Sequence, residues 1–150
     1  MSEKNPYRLY VIHLFGDHAD YLRVFEYLES RPNFFYRNCT DPAAKIQGGD
    51  DELKAEIRRQ MSTAEAVLFP VNLFAINPVL VSFQVDAAKS MQKPLIAIKS
   101  FGETVAIKKA VLDKADEIVD WNDRAITEAI KMRARNDQSG QWETIEFKLD

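Results

Sequence analysis

Near its start the chain reads Leu9-Tyr10-Val11-Ile12-His13-Leu14-Phe15 and then stops at Gly16, and this nearly unbroken apolar stretch constrains the fold more than any other feature. A strand with one wet face alternates apolar and polar residues. A strand without that alternation is covered on both faces, as a central strand of a parallel sheet is. Further short apolar stretches follow at Phe34-Phe35-Tyr36, at Val67-Leu68-Phe69 within Ala64 to Val71, at Leu95-Ile96-Ala97-Ile98 and, more weakly, at Ile118-Val119.

The segments between them carry helical spacing. Tyr21, Leu22, Phe25 and Leu28 mark a helix from Ala19 to Ser30, which Arg31-Pro32 then stops. Leu53, Ile57 and Met61 form a stripe on a helix that Asp50 or Asp51 is expected to cap. Asn77 is placed to cap the next helix, with Pro78 in its first turn and Val81, Val85, Ala88 and Met91 on one face. A last helix from about Asp123 to Arg135 turns Ile126, Ala129 and Ile130 inward. Strands alternating with helices in this way imply βαβ units. The expected fold is therefore α/β, a five-stranded parallel sheet doubly wound by helices and flavodoxin-like in architecture. Residues 1–7 form an N-terminal extension. Residues 136–150, with Ile145, Phe147 and Leu149 alternating with Glu146 and Lys148, are a C-terminal tail or an extra edge strand.

Composition removes several function classes. With 20 Lys and Arg against 23 Asp and Glu the net charge is −3, whereas nucleic acid and anionic membranes reward a concentrated basic surface. Cys39 is the single cysteine, so neither an internal disulfide nor a zinc site built on several cysteines is expected. The N-terminal residues have no apolar signal core, and no apolar run reaches the roughly 18 residues of a membrane span. A cytoplasmic protein is expected.

In an open parallel sheet, ligands collect at the carboxyl ends of the strands, which directs attention to the residues after each one. Only Gly16 follows the first strand, so the glycine-rich turn of a dinucleotide fold is absent, as is a P-loop. The third strand ends Phe69-Pro70-Val71-Asn72 without the aspartate of a phosphoacceptor. His13 reads as a core residue of the first strand with a satisfied ring, and His18 as a loop residue within reach of a ligand. Cys39 reads as structural, because no base can be placed beside it. Phe15, Phe74, Phe83 and Phe101 could stack on a base, with core packing the default for each. The stretch from Asn38 to Asp51, with Asp41-Pro42 and Gly48-Gly49, is longer than connection alone requires.

The apolar strand, short acidic turn and helix of Tyr10 to Leu28 are followed by Val67-Leu68-Phe69, by Leu80-Val81-Ser82-Phe83-Gln84-Val85-Asp86-Ala87-Ala88, by Gln92-Lys93-Pro94-Leu95-Ile96-Ala97-Ile98 and by Asp120-Trp121-Asn122. This order resembles the TIR-like proteins of bacteria, in particular the small single-domain group found in Thoeris anti-phage systems, over about residues 8–135. In that family the helix after the third strand opens with an aromatic residue, an apolar residue, two variable residues and a glutamate. The glutamate binds the nicotinamide-side ribose of NAD+ and assists cleavage of the glycosidic bond. Here those positions are Leu80, Val81, Ser82, Phe83 and Gln84, so a glutamine stands at the catalytic position. It keeps the shape and can hydrogen-bond a ribose hydroxyl, but it carries no charge against an oxocarbenium ion and accepts no proton. Asp86, two residues and about 200° further round the helix, is a poor substitute. Gln84 is then an engineered change from glutamate, a natural departure in a binding module, or the product of a shifted alignment.

The resemblance implies an NAD+-processing protein with NAD+ as substrate and no cofactor or metal. It would make an ADP-ribose-derived signal read by a downstream effector in anti-phage defence, with activity impaired by Gln84. The alternatives are a non-catalytic TIR-like module that self-associates, or a nucleoside deoxyribosyltransferase-like enzyme, which shares the same weakness at Gln84. The expected pocket places Gln84 against the end of the first strand. Phe15, Gly16, Asp17 and His18 would form one wall, Phe74 and Asn77 another, and Cys39, Thr40 and Asp41 a rim.

Overall fold

The computed structural model describes residues 4–16, 18–99 and 109–137. Asp17, Ser100, Phe101 and Gly102, and the residues from Gln138 onward lie outside them, so the expectations placed there fall outside the described residues. The described strands are β1 (Tyr7–Val11), β2 (Tyr36–Asn38), β3 (Ala66–Pro70), β4 (Leu95–Ile98) and β5 (Glu117–Val119). They form one sheet in the order β2-β1-β3-β4-β5 with every pairing parallel. The helices are α1 (Ala19–Glu29), α2 (Asp50–Ser62), α3 (Leu73–Ile76), α4 (Pro78–Ser90), α5 (Lys109–Leu112) and α6 (Asp123–Arg135). This is the expected doubly wound α/β architecture.

Both faces of the sheet are buried. Tyr7, Leu9 and Val11 pack with Val24, Leu28, Ile126 and Ile130 from α1 and α6, while Tyr10 and Ile12 pack with Ile57, Met61, Val81 and Val85 from α2 and α4. That division explains the missing alternation in β1. None of the helices among the described residues is long and apolar enough to cross a membrane.

Several boundaries differ from expectation, each for a local reason. β1 begins at Tyr7, inside the expected extension, and ends at Val11 although the apolar run continues to Phe15. The proline in β3 sets that end. Val67 N donates to Pro94 O and Val71 N to Ile98 O, so the odd-numbered amides of β3 point to β4 and the even-numbered ones to β1. Ile12 N still reaches Leu68 O at 2.9 Å, but the next ladder bond would need an N–H at Pro70. β2 starts at Tyr36, two residues beyond the expected Phe34, because Phe34 is an anchor in the α1/α6 core, stacked on Tyr7 at 5.5 Å. On α1, Val24 takes the buried position expected of Leu22, which is exposed. Gly49, not Asp50 or Asp51, is the N-cap of α2; the carboxylates of Asp50, Asp51 and Glu52 instead complement the helix dipole from its first turn. The cap of α4 is as expected, with Asn77 Oδ1 accepting Leu80 N–H at 3.2 Å behind Pro78.

Candidate functional site

At the carboxyl edge of the sheet the backbone ladders run out, and side chains take over their pairing. Thr40, just past β2, is buried; its hydroxyl accepts Val11 N–H at 2.8 Å and lies 3.4 Å from Val11 O. Beyond Ile12, where Pro70 offers no N–H, the chain is held by Gln84 from the middle of α4.

Gln84 is fully buried. Its Oε1 accepts the Tyr10 hydroxyl at 2.6 Å and His13 N–H at 3.2 Å. Its Nε2 donates to His13 O at 2.7 Å and to Leu80 O at 3.3 Å. A backbone N–H can only donate and a carbonyl only accept, so His13 fixes which way the amide points. Burial pushes the Tyr10 hydroxyl well above its ordinary range, which keeps it protonated and donating to Oε1. Both donors and both acceptor positions of the amide are thus occupied. The helix face agrees: Val81, Gln84, Val85, Ala87 and Ala88 are buried together, while Asp86 is exposed and paired with Lys114.

A second glutamine does the same for the neighbouring connection. Gln60 of α2 is buried; its Oε1 accepts Asp41 N–H at 3.0 Å and its Nε2 donates to Asp41 O at 3.1 Å and to Glu56 Oε2 at 2.8 Å. The two helices carry one local pattern, Ile57-x-x-Gln60-Met61 and Val81-x-x-Gln84-Val85, which places an amide on an otherwise apolar stripe. Thr40 was expected at the rim and is instead buried against Val11; Gln60 and Tyr10 were not singled out as site residues in the sequence. A long polar side chain at an inward helical position was the available signal.

His13 stands two residues beyond β1 rather than within it, because the ladder stops at Pro70. Its ring is buried and Nδ1 accepts Phe15 N–H at 3.1 Å, which leaves the neutral ring's proton on Nε2; that nitrogen has no hydrogen-bond partner among the described residues. The expected satisfied ring is therefore half satisfied. Burial lowers its pKa to about 4, against the opposite pull of Gln60, Asp41 and Glu56.

The remaining expected site residues have other positions. Phe15 is half-buried with φ 57° and sets its ring edge against His13 at 4.5 Å; Gly16 beside it is exposed. His18 is the N-cap of α1, its Nδ1 accepting Asp20 N–H at 3.1 Å. Asp41 Oδ1 closes a turn by accepting Ala43 N–H at 3.1 Å. Phe74 is a core residue in α3, and Cys39 packs on the same core. Asn77 is exposed and caps α4. Gln84, Phe15 and the chain around Asp41 do gather about His13. Phe74 lies in the core and Asn77 at the exposed start of α4.

Asn77 instead borders a hollow of about 270 Å³ between α2 and α4, lined also by Asp50, Leu53, Lys54, Val79, Leu80 and Phe83. Lys54 and Arg58 sit over the Phe83 ring, at 5.5 and 5.1 Å from its centroid. Among the described residues, no group of three or more histidine, cysteine or acidic side chains is arranged to hold a metal ion. No family model and no curated protein matches the chain.

Proposed function

We propose that this chain is a TIR-like module that works by association with copies of itself, and that residue 84 takes no part in cleaving NAD+. One observation sets the catalytic reading aside, and association is the alternative that needs no carboxylate at residue 84. The side chain at the position where the resembling family has its glutamate is buried, uncharged and fully engaged in holding His13 and Tyr10. A group that assists glycosidic cleavage has to reach the ribose and bear negative charge as the oxocarbenium ion develops. The nucleoside deoxyribosyltransferase-like reading needs a carboxylate at the same place and meets the same obstacle.

The geometry also favours a native glutamine over an engineered one. The His13 carbonyl takes its donor from the side chain of residue 84, and an ionised glutamate supplies none. Support for the TIR-like part of the reading comes from the order of motifs over residues 8–135 together with the parallel sheet order.

Light scattering across protein concentration, with nicotinamide release from NAD+ followed in the same samples, tests the proposal. The expected result is a mass that rises with concentration and no nicotinamide. Release by the assembled chain, or a monomer at every concentration, would remove it.

A further inference from the structure

The α2/α4 hollow is lined in part by Val79, the most exposed large apolar side chain among the described residues, and Ile76 lies close to it in the chain. Val79 is 82% exposed and Ile76 is 55% exposed. Ile76 ends α3 and Val79 lies in the first turn of α4, on either side of Asn77-Pro78. Behind them Leu53, Leu80 and Phe83 form an apolar floor. Isolated exposed apolar residues are ordinary, but a cluster above an apolar hollow with a charged border is the anatomy of an interaction surface.

The border is charged in an ordered way. The first turn of α2 carries Asp50, Asp51 and Glu52, and further along the same helix come Lys54 and Arg58. Asp51 and Arg58 are seven residues apart, two turns, and so lie on one face about 10 Å from each other along the axis. Such a surface has a negative end and a positive end flanking an apolar centre. A twofold axis that lies in the interface, perpendicular to α2 and through that centre, turns one copy end for end, so the acidic end of each copy meets the basic end of the other. No other partner is required to match it.

Resting on the association reading above, we propose that the α2/α4 face joins two copies of this chain about a twofold axis, with Val79 and Ile76 entering the partner's apolar centre and Asp51 opposite the partner's Arg58. The cations over Phe83 then serve two purposes, covering the ring in the free chain and meeting carboxylates in the pair.

Sedimentation velocity across protein concentration tests this with four proteins: the parent chain, Val79→Glu, Arg58→Glu, and the double variant Asp51→Lys with Arg58→Glu. Val79 is so exposed that its replacement leaves folding intact, which a melting curve checks. The parent is expected to dimerise. Val79→Glu should raise the dissociation constant at least about tenfold with an unchanged melting temperature. Arg58→Glu should weaken the pair, and the double variant, in which both ends are reversed, should recover it. A parent that dimerises with a dissociation constant indifferent to Val79→Glu and Arg58→Glu overturns this surface while leaving the association reading in place. A double variant weaker than Arg58→Glu overturns the pairing of the two ends. A parent that stays monomeric, or that releases nicotinamide, overturns the association reading as well.

Discussion

Changing Gln84 to glutamate replaces one NH2 group by one oxygen, and the structure sets what that should cost. In the parent, Nε2 donates to His13 O at 2.7 Å and to Leu80 O at 3.3 Å. Leu80 O keeps its helical partner, but an ionised carboxylate would stand against the His13 carbonyl with no proton between them. The variant avoids this by staying protonated, so that the acid's O–H donates to His13 O. Its folded pKa is then raised, and buried glutamates reach about 8–9. The unfolded chain ionises at about 4.3. Between these values the folded state binds the extra proton, so the variant loses stability relative to the parent as pH rises. At pH 7 the difference is about 1.36 × (7 − 4.3), or roughly 4 kcal/mol. In a domain of this size that lowers the melting temperature by about 8–16 °C. Near pH 4 the two proteins should differ little. Urea denaturation of both proteins from pH 4 to 8 measures it. A variant as stable as the parent at pH 7 would refute the reasoning and point to a site that accepts a carboxylate.

The parent has a pH dependence of its own, from His13. Its folded pKa of about 4 lies below the unfolded value of 6.5, so the unfolded state binds more protons between them and stability falls as pH drops from 6.5 to 4, by about 3 kcal/mol. His13→Phe should flatten that decline in chemical denaturation. Gln60→Ala should cost about 1–3 kcal/mol and speed hydrogen exchange at Asp41, because it leaves that residue's N–H and carbonyl without partners. Asn77→Ala removes the cap of α4 and should cost about 1 kcal/mol in thermal melts.

What the sequence revealed followed from how local each cause was. Asn77-Pro78 and Asn122 act within a few residues, and the helices they cap begin where expected. The apolar run of β1 disclosed a strand covered on both faces, but its end depends on Pro70, nearly sixty residues later in the chain. Nothing between Leu9 and Gly16 carries that information. The direction of Gln84 toward the end of β1 was also legible, from helix geometry. Its closure was not, because that depends on Tyr10 and on the carbonyl of His13, which meet it only across the sheet edge. Phe74 illustrates the reverse case. It was grouped with Asn77 by position after β3, yet the turn of α3 sends it into the core and leaves Asn77 outside.

The account stands on Gln84 being a closed structural amide, and its side-chain NH2 protons report that directly. In a nuclear magnetic resonance spectrum of the labelled chain, assigned by comparison with Gln84→Ala, those protons should exchange with solvent far more slowly than an exposed glutamine's and keep their shifts when NAD+ is added. Fast exchange, or shifts that move as NAD+ binds, would mean that residue 84 opens to ligand and would contradict the central claim.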